Sequence, residues 1–245
     1  MTAMQLSSPG FPKAHRRPAS WPLNPDDLKE IAELRRQRLL CGWGSDSIDK
    51  WLDMIRKGDR LMFWIVDDND NSAPVENEPR FCEYLDGVDM HQEEIPSSDP
   101  DFLPVGHFAL DWIDYLGDKT LADRDKGKIT FTSLYVLMSK RGKGYASKAL
   151  FEAERIAKDE LHCSIITLNT LPARYSTNAD WWASQGLKQP QVPVYEEWYR
   201  SNGYLAYLEV LRHKYRTIDG KECTVPCVNM EKRLKPDDVD YAAGL

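Results

Sequence analysis

Leu134-Tyr135-Val136-Leu137-Met138-Ser139-Lys140-Arg141-Gly142-Lys143-Gly144-Tyr145-Ala146 carries a β-like run through a glycine-interrupted turn into an amphipathic helix. A strand that hands over to a helix in this way leaves backbone N–H groups pointing in one direction, with the positive end of the helix dipole behind them. Gly142 and Gly144 let an anion approach the main chain with no Cβ in the way, and Ala146 keeps the first helical turn small. Arg141 and Lys143 place positive charge at the rim. The stretch reads as a seat for a diphosphate. Glycine pairs also follow strands in ordinary turns, so the order of the remaining elements decides between the two readings.

Upstream of the turn, Lys128 to Met138 is a long β-branched and aromatic run, Pro104 to Trp112 alternates enough for a strand, and Leu61 to Val66 reads as a buried strand. Two helices precede them. Asn24-Pro25-Asp26-Asp27 supplies a capping residue, a proline at the first helical position and acid in the first turn, and Leu28, Ile31, Ala32 and Leu39 give an apolar stripe. The second helix starts at Ser45 or Ser47, repeats Ile48, Trp51, Leu52 and Ile55 on one face, and closes at Gly58. Downstream of the turn, Ala146, Ala149, Leu150, Ala153, Ile156 and Ala157 share a helix face, and Ser164 to Leu168 is the next strand. Pro172 to Pro193 reads as irregular and aromatic. A short helix over Tyr195 to Ser201 follows, then a closing hairpin of Tyr204 to Tyr215 and Thr224 to Arg233, turning near Asp219-Gly220.

Composition bounds the function. The 245 residues are 42% hydrophobic and 29% charged, as in a soluble globular chain. No apolar run approaches the roughly 18 residues of a membrane span, and a net charge of −7 argues against a nucleic-acid surface. Five scattered cysteines predict a reducing compartment, by default the cytoplasm. Cys223 and Cys227 lack the further ligands a zinc site needs, so no metal is expected. Asp67 to Asp101 holds twelve carboxylates and one basic residue, Arg80, among four prolines, and reads as an inserted acidic loop. The expected organisation is a flexible lead-in over 1–21, one domain over 22–234 interrupted by the 67–101 loop, and a tail over 235–245.

Helix, helix, strand, strand, strand, helix, strand, helix, strand, strand is an order that resembles the GNAT family of acyl-CoA-dependent N-acetyltransferases. The family signature Arg/Gln-x-x-Gly-x-Gly/Ala is filled by Arg141, Gly144 and Ala146. Pro22 to Asp27 is similar to the start of the family's first helix, Trp198-Tyr199-Arg200-Ser201-Asn202-Gly203-Tyr204 to its aromatic-Tyr-x-x-x-Gly-Phe helix end, and Val228 to Leu234 to its last strand. The resemblance implies an α/β fold with a mixed, mostly antiparallel twisted central sheet flanked by helices. Its cofactor would lie in the splay between the fourth and fifth strands, here Lys128 to Met138 and Ser164 to Leu168.

The same resemblance implies transfer of an acetyl group from acetyl-CoA, as co-substrate, to a primary amine of a small molecule by direct attack on the thioester. Tyr199 would protonate the departing thiolate. The backbone of Val136 and Met138 would bond the pantetheine arm, and Arg141, Gly142, Lys143, Gly144, Tyr145 and Ala146 the pyrophosphate, with Asn169 contacting pantetheine or substrate. The chain departs from the family at Thr130 and Thr132, where many relatives carry the carboxylate that deprotonates the amine. Asp111, Asp114, Glu196, Glu197 or a water relay could serve instead, and His107 reads as a satisfied core histidine before a base. The acidic loop and the aromatic residues Tyr175, Trp181, Trp182, Tyr195 and Trp198 would suit a cationic acceptor. A peptide or protein amine as acceptor, and a non-catalytic acyl-CoA binder, are the alternative readings; a homodimer could form along the edge of the closing strands.

Overall fold

Alternating and fully apolar runs place seven strands in one sheet: β1 (Ser20–Pro22), β2 (Arg60–Ile65), β3 (Gly106–Asp111), β4 (Lys128–Val136), β5 (Ile165–Thr170), β6 (Leu205–Arg216) and β7 (Glu222–Arg233). Their order is β1-β2-β3-β4-β5-β7-β6. Neighbouring strands are antiparallel except β4 and β5, which run parallel. This computed structural model describes residues 20–67, 102–184, 195–216 and 222–234. The first 19 residues of the expected lead-in, residues 68–101 of the acidic loop, the hairpin turn near Asp219-Gly220 and the 235–245 tail lie outside the described residues.

Helices cover both faces. On one side α1 (Leu28–Cys41) and α2 (Ile48–Lys57) pack Leu34, Ile48, Trp51 and Leu52 against Met62, Trp64 and Ala109. On the other, α3 (Tyr145–Arg155) and its π-helical continuation Ile156–Glu160 bury Ala149, Leu150, Ala153, Ile156 and Ala157 against Phe108, Leu110, Phe131 and Ile166. Two short helices, α4 (Ala173–Ser176) and α5 (Ala179–Ser184), precede α6 (Tyr195–Ser201), which spans the residues read for it from sequence. The expected mixed, mostly antiparallel sheet with flanking helices is thus present.

Four details differ from the sequence reading. Ser20 and Trp21, assigned to the lead-in, belong to β1, which pairs with Phe63 to Ile65; a three-residue strand carries no periodicity of its own. Asn24 does not cap α1. Its side chain accepts from the Asp26 amide in a turn, and the cap is Asp27, which accepts from the amides of Lys29 and Glu30. The apolar stripe on α1 holds only in part: Ile31 and Leu39 are covered, but Leu28 is 80% exposed and Ala32 faces solvent, while Glu33, Arg36, Gln37 and Arg38 are buried. Finally, part of Pro172 to Pro193 is helical, in α4 and α5.

The α1 inversion has a physical cause: polar side chains bond one another under the helix. Glu33 takes both Nε and Nη2 of Arg36, and the Gln37 amide donates to Glu33 Oε1 at 2.8 Å and to the Pro104 carbonyl at 3.0 Å. Gln37 Oε1 lies 2.7 Å from His107 Nδ1, and His107 Nε2 faces Arg38 Nη1 at 3.4 Å. Because the guanidinium can only donate, this places the imidazole proton on Nδ1. Burial, then the charges of Arg38 and Arg60, hold the His107 pKa well below its ordinary 6.5. A histidine neutral in the fold and protonated in the unfolded chain makes stability fall as pH drops below about 6.5. Denaturant titrations at pH 7.5 and 5.5 should therefore differ by about 1.4 kcal/mol from this residue, and His107→Gln should flatten that slope.

The mouth of the site depends on how closely β3 meets β4. A Cβ on Gly106 would lie 2.1 Å from the Tyr135 carbonyl oxygen. That oxygen is fixed backbone, so Gly106→Ala should lose at least about 2 kcal/mol of unfolding free energy by urea titration.

Candidate active site

The parallel pairing of β4 with β5 covers Lys128↔Ile165, Ile129↔Ile166 and Thr130↔Thr167, and then the strands part. On its other edge β4 changes register against β3 between His107 and Ala109, whose partners are Tyr135 and Thr132. Ser133 and Leu134 together oppose Phe108, and Ser133 sits at φ 55, the left-handed region. This is a β-bulge, which bends the strand and switches which face its side chains address. Thr132 and Tyr135 consequently share the α1 side, while Phe131 and Val136 enter the core under α3.

The gap opens into a cavity of about 470 Å³. Its walls come from β4 (Phe131 to Val136), β5 (Asn169, Thr170), the glycine turn and first turn of α3 (Lys140, Arg141, Gly142, Gly144 to Ser147), α6 (Tyr195, Trp198, Tyr199) and the end of α1 with the following loop (Arg38, Cys41, Trp43). Most residues singled out from sequence therefore meet in one space: Tyr199, Val136, Arg141, Gly142, Gly144, Tyr145, Ala146 and Asn169. Two do not line it. Lys143 is exposed beside the turn, and Met138 begins a 3₁₀ turn in which its carbonyl accepts from the Arg141 amide at 3.2 Å.

The two glycines leave the main chain of the turn uncovered. Gly142 and Gly144 sit at φ 76 and 82, and a Cβ on either would meet nothing within 4 Å, so the turn is open to a ligand on that side. Gly144 is the N-cap of α3 without a side-chain cap. Among the described residues, no backbone carbonyl accepts from the amides of Gly142, Gly144 or Ala146. These donors and the helix dipole together suit a diphosphate. The Arg141 guanidinium turns inward, donating from Nε to the Val136 carbonyl at 3.2 Å.

Tyr199 is 8% exposed, with its ring 4.8 Å from Trp198 and 5.8 Å from Tyr204. Burial, and then the neighbouring Tyr195, raise its pKa above the ordinary tyrosine value, so the phenol holds its proton at neutral pH. Of the basic candidates, one bonds a residue of the cavity wall. Asp111 accepts the hydroxyl of Thr132 on Oδ2 at 2.7 Å and Arg60 Nη1 on the same oxygen at 3.1 Å, while its Oδ1 has no partner. Arg60 also donates to Ser133 Oγ at 2.5 Å, tying the bulge to the network. Burial raises the Asp111 pKa; Arg60 and Thr132 act against that rise.

The other candidates are occupied elsewhere. Asp114 pairs with Arg212 and accepts from the amides of Leu116 and Asp118. Glu196 accepts from the Ala173 amide at 2.7 Å and from Arg200, and Glu197 is exposed. His107 has the core role described above. Of the aromatic segment, Tyr195 and Trp198 line the cavity, whereas Tyr175, Trp181 and Trp182 stack on one another. Sequence reasoning missed Arg38, Cys41, Trp43 and the Ser133 bulge. The first three come from a helix end whose polar burial breaks the apolar pattern, and the bulge has no glycine to mark it.

Among the described residues no helix is long and apolar enough to cross a membrane, and no cluster of three potential metal ligands occurs. A comparison with curated protein sequences finds no match. Among solved structures, a chimera of the spermidine N-acetyltransferase SpeG from Vibrio cholerae and hSSAT aligns at 12% identity, covering 88% of this chain and 94% of its own, with a TM-score of 0.50. An aminoglycoside 6'-N-acetyltransferase complexed with coenzyme A aligns at 15% identity, covering 89% and 98%, with a TM-score of 0.49. The profile described as the acetyltransferase (GNAT) family matches residues 28–179, more than half of the chain, over the two helices, the splayed strands and the glycine turn. The chain belongs to the GNAT acetyltransferase family.

Proposed function

We propose that the protein transfers an acetyl group from acetyl-CoA to a primary amine of a small molecule by direct attack on the thioester. The observation that carries this reading is a cavity that joins the glycine turn to Tyr199 across the gap between β4 and β5. Acetyl-CoA supplies the activated acyl group and an anionic handle. The amides of the turn and the cations Lys140 and Arg141 suit the handle. The β4 edge released at Thr130 offers backbone groups to the amide-bearing arm, as an unpaired strand edge does.

Acyl transfer needs an unprotonated nitrogen and a proton for the leaving sulfur. Thr132 and Asp111 fit the first requirement. The substrate ammonium gives a proton to Thr132 Oγ as the Thr132 hydroxyl proton moves to Asp111 Oδ2. The neutral nitrogen then attacks the carbonyl carbon, the C–S bond breaks, and the sulfur takes the phenolic proton of Tyr199. The acylated nitrogen gives its second proton to the Tyr199 phenolate and becomes a neutral amide, which restores Tyr199; Asp111 ends with one proton more and loses it to solvent. The Ser133 bulge orients Thr132 for this role because it turns the strand just beyond that residue.

Two experiments test the reading. Isothermal titration with acetyl-CoA and a thiol-release assay over a panel of amines should show saturable binding and turnover. Tyr199→Phe should lower kcat by about 10²-fold with acetyl-CoA affinity within about threefold of the parent. Gly144→Asp should lose most of that affinity, and Gly144→Ala, which carries the backbone penalty at φ 82 without the charge, should retain it better. Tyr199→Phe at full kcat would remove the tyrosine from the mechanism.

The base assignment is tested by pH. Thr132→Val should lower kcat/KM by about 10-fold to 10²-fold and displace the acidic limb of its pH profile, since the path to Asp111 is cut. A variant with the parental profile would return the proton to solvent water.

A further inference from the structure

The cavity wall holds three cationic side chains, Arg38, Lys140 and Arg141, and among its described lining residues there is no carboxylate. Lys140 and Arg141 adjoin the glycine turn, where the diphosphate reading uses them. Arg38 does not. It comes from the last turn of α1, beside Cys41 and Trp43, and reaches the wall lined by Tyr135 and the bulge.

Arg38 is 4% exposed, and its partners among the described residues are neutral. Its Nη2 donates to the Trp43 carbonyl, its Nη1 faces His107 Nε2 at 3.4 Å, and its guanidinium lies 5.1 Å from the Trp51 ring centre. Its Nε has no partner. Among the described residues no carboxylate pairs with it. Arg60, packed on the same indole at 4.2 Å, is neutralised by Asp111 at 3.1 Å. His107 contributes no charge, since burial and these two guanidiniums hold it in its neutral form. The cluster of Arg38, Arg60, Asp111 and His107 therefore carries one uncompensated positive charge at the cavity.

A buried charge without a partner is costly, and proteins ordinarily pair it. The planar fork of arginine matches a carboxylate by two parallel hydrogen bonds. Gln37 and His107 hold the guanidinium in place through a bonded chain that ends on Glu33 and the Pro104 carbonyl. We propose that Arg38 binds the carboxylate of the acyl acceptor, so that the substrate class is an amino carboxylate, an amine and a carboxylate on one small molecule. This rests on the acetyl-transfer reading of the same cavity. A polyamine acceptor would instead bring positive charge against Arg38 with no carboxylate on the described wall to receive it.

The test uses the full chain with matched acceptors: phenylalanine against phenylalaninamide and phenethylamine, and lysine against cadaverine. For the pair that is turned over best, kcat/KM should favour the carboxylate member by at least about tenfold. Arg38→Met should bring the members of the pair to within about threefold of each other while acetyl-CoA affinity stays within about threefold of the parent. Arg38→Lys, which keeps the charge and loses the fork, should retain an intermediate preference. Equal or better turnover of the amide or the decarboxylated amine by the parent overturns the assignment, as does an Arg38→Met variant that still prefers the carboxylate.

A second measurement separates this proposal from acyl transfer itself. Titrating the amino carboxylate into protein saturated with free CoA reads binding alone. Carboxylate-dependent binding that disappears in Arg38→Met, with no turnover of any amine, upholds the anion site and removes the transferase reading. Turnover without carboxylate-dependent binding or preference does the reverse, and absence of both overturns the anion site.

Discussion

Three residue pairs of parallel sheet, Lys128 to Thr130 against Ile165 to Thr167, are what the site depends on, because the sheet has to stop being a sheet immediately beyond them. A strand edge inside a protein exposes donors and acceptors that must find partners. Here β4 remains fixed to β3 on one side while β5 follows β7 on the other, so the edges diverge and cannot close on each other. The register shift at Ser133 adds a bend to β4 where the gap begins. The α3 terminus, α6 and the end of α1 all converge on this opening, and side chains from each line the same cavity.

Behind that opening lies an unusual amount of buried polarity for one helix face. Glu33 with Arg36, Gln37 with His107, and Arg60 with Asp111 are all removed from water. Hydrophobic residues of similar volume would often stabilise a core as well as such pairs do. The network instead fixes orientation. Arg60 reaches Asp111 and Ser133 at once, so the carboxylate and the bulge move as a unit, and Gln37 and His107 hold Arg38 from behind. Those contacts set the two cavity features that the glycine turn does not supply, the hydroxyl of Thr132 and the guanidinium of Arg38.

What could be read from sequence follows from which forces are local. The glycine turn, the Gly58 cap of α2 and the span of α6 depend on backbone conformation or short-range periodicity, and each is where the residues put it. The sheet class came from the family resemblance that the order of the elements carries. The start of α1 was misplaced because Asn24 and Pro25 carry cap chemistry that serves a turn three residues ahead of the helix. Its buried face was misread because an apolar pattern cannot detect polar groups satisfied by partners far along the chain, such as Gln37 with Pro104 and His107. Arg38, Cys41 and Trp43 were illegible as site residues for the same reason. The Tyr175, Trp181 and Trp182 cluster shows the opposite error, in which a dense aromatic segment packs on itself instead of lining the cavity.

Charge shows most clearly why composition and site diverge. The chain carries a net charge of −7, and twelve carboxylates fall between Asp67 and Asp101, which favours a cationic ligand on composition alone. The cavity has the reverse sign. At physiological ionic strength exposed charges more than about 8 Å apart are largely screened, whereas buried groups at contact distance are not. A ligand inside the gap therefore responds to Arg38, Lys140 and Arg141 and to the amides of the glycine turn before it responds to the surface. The sign of the cleft is thus set by which side chains α1 and the glycine turn bring to its wall, and not by the composition of the chain.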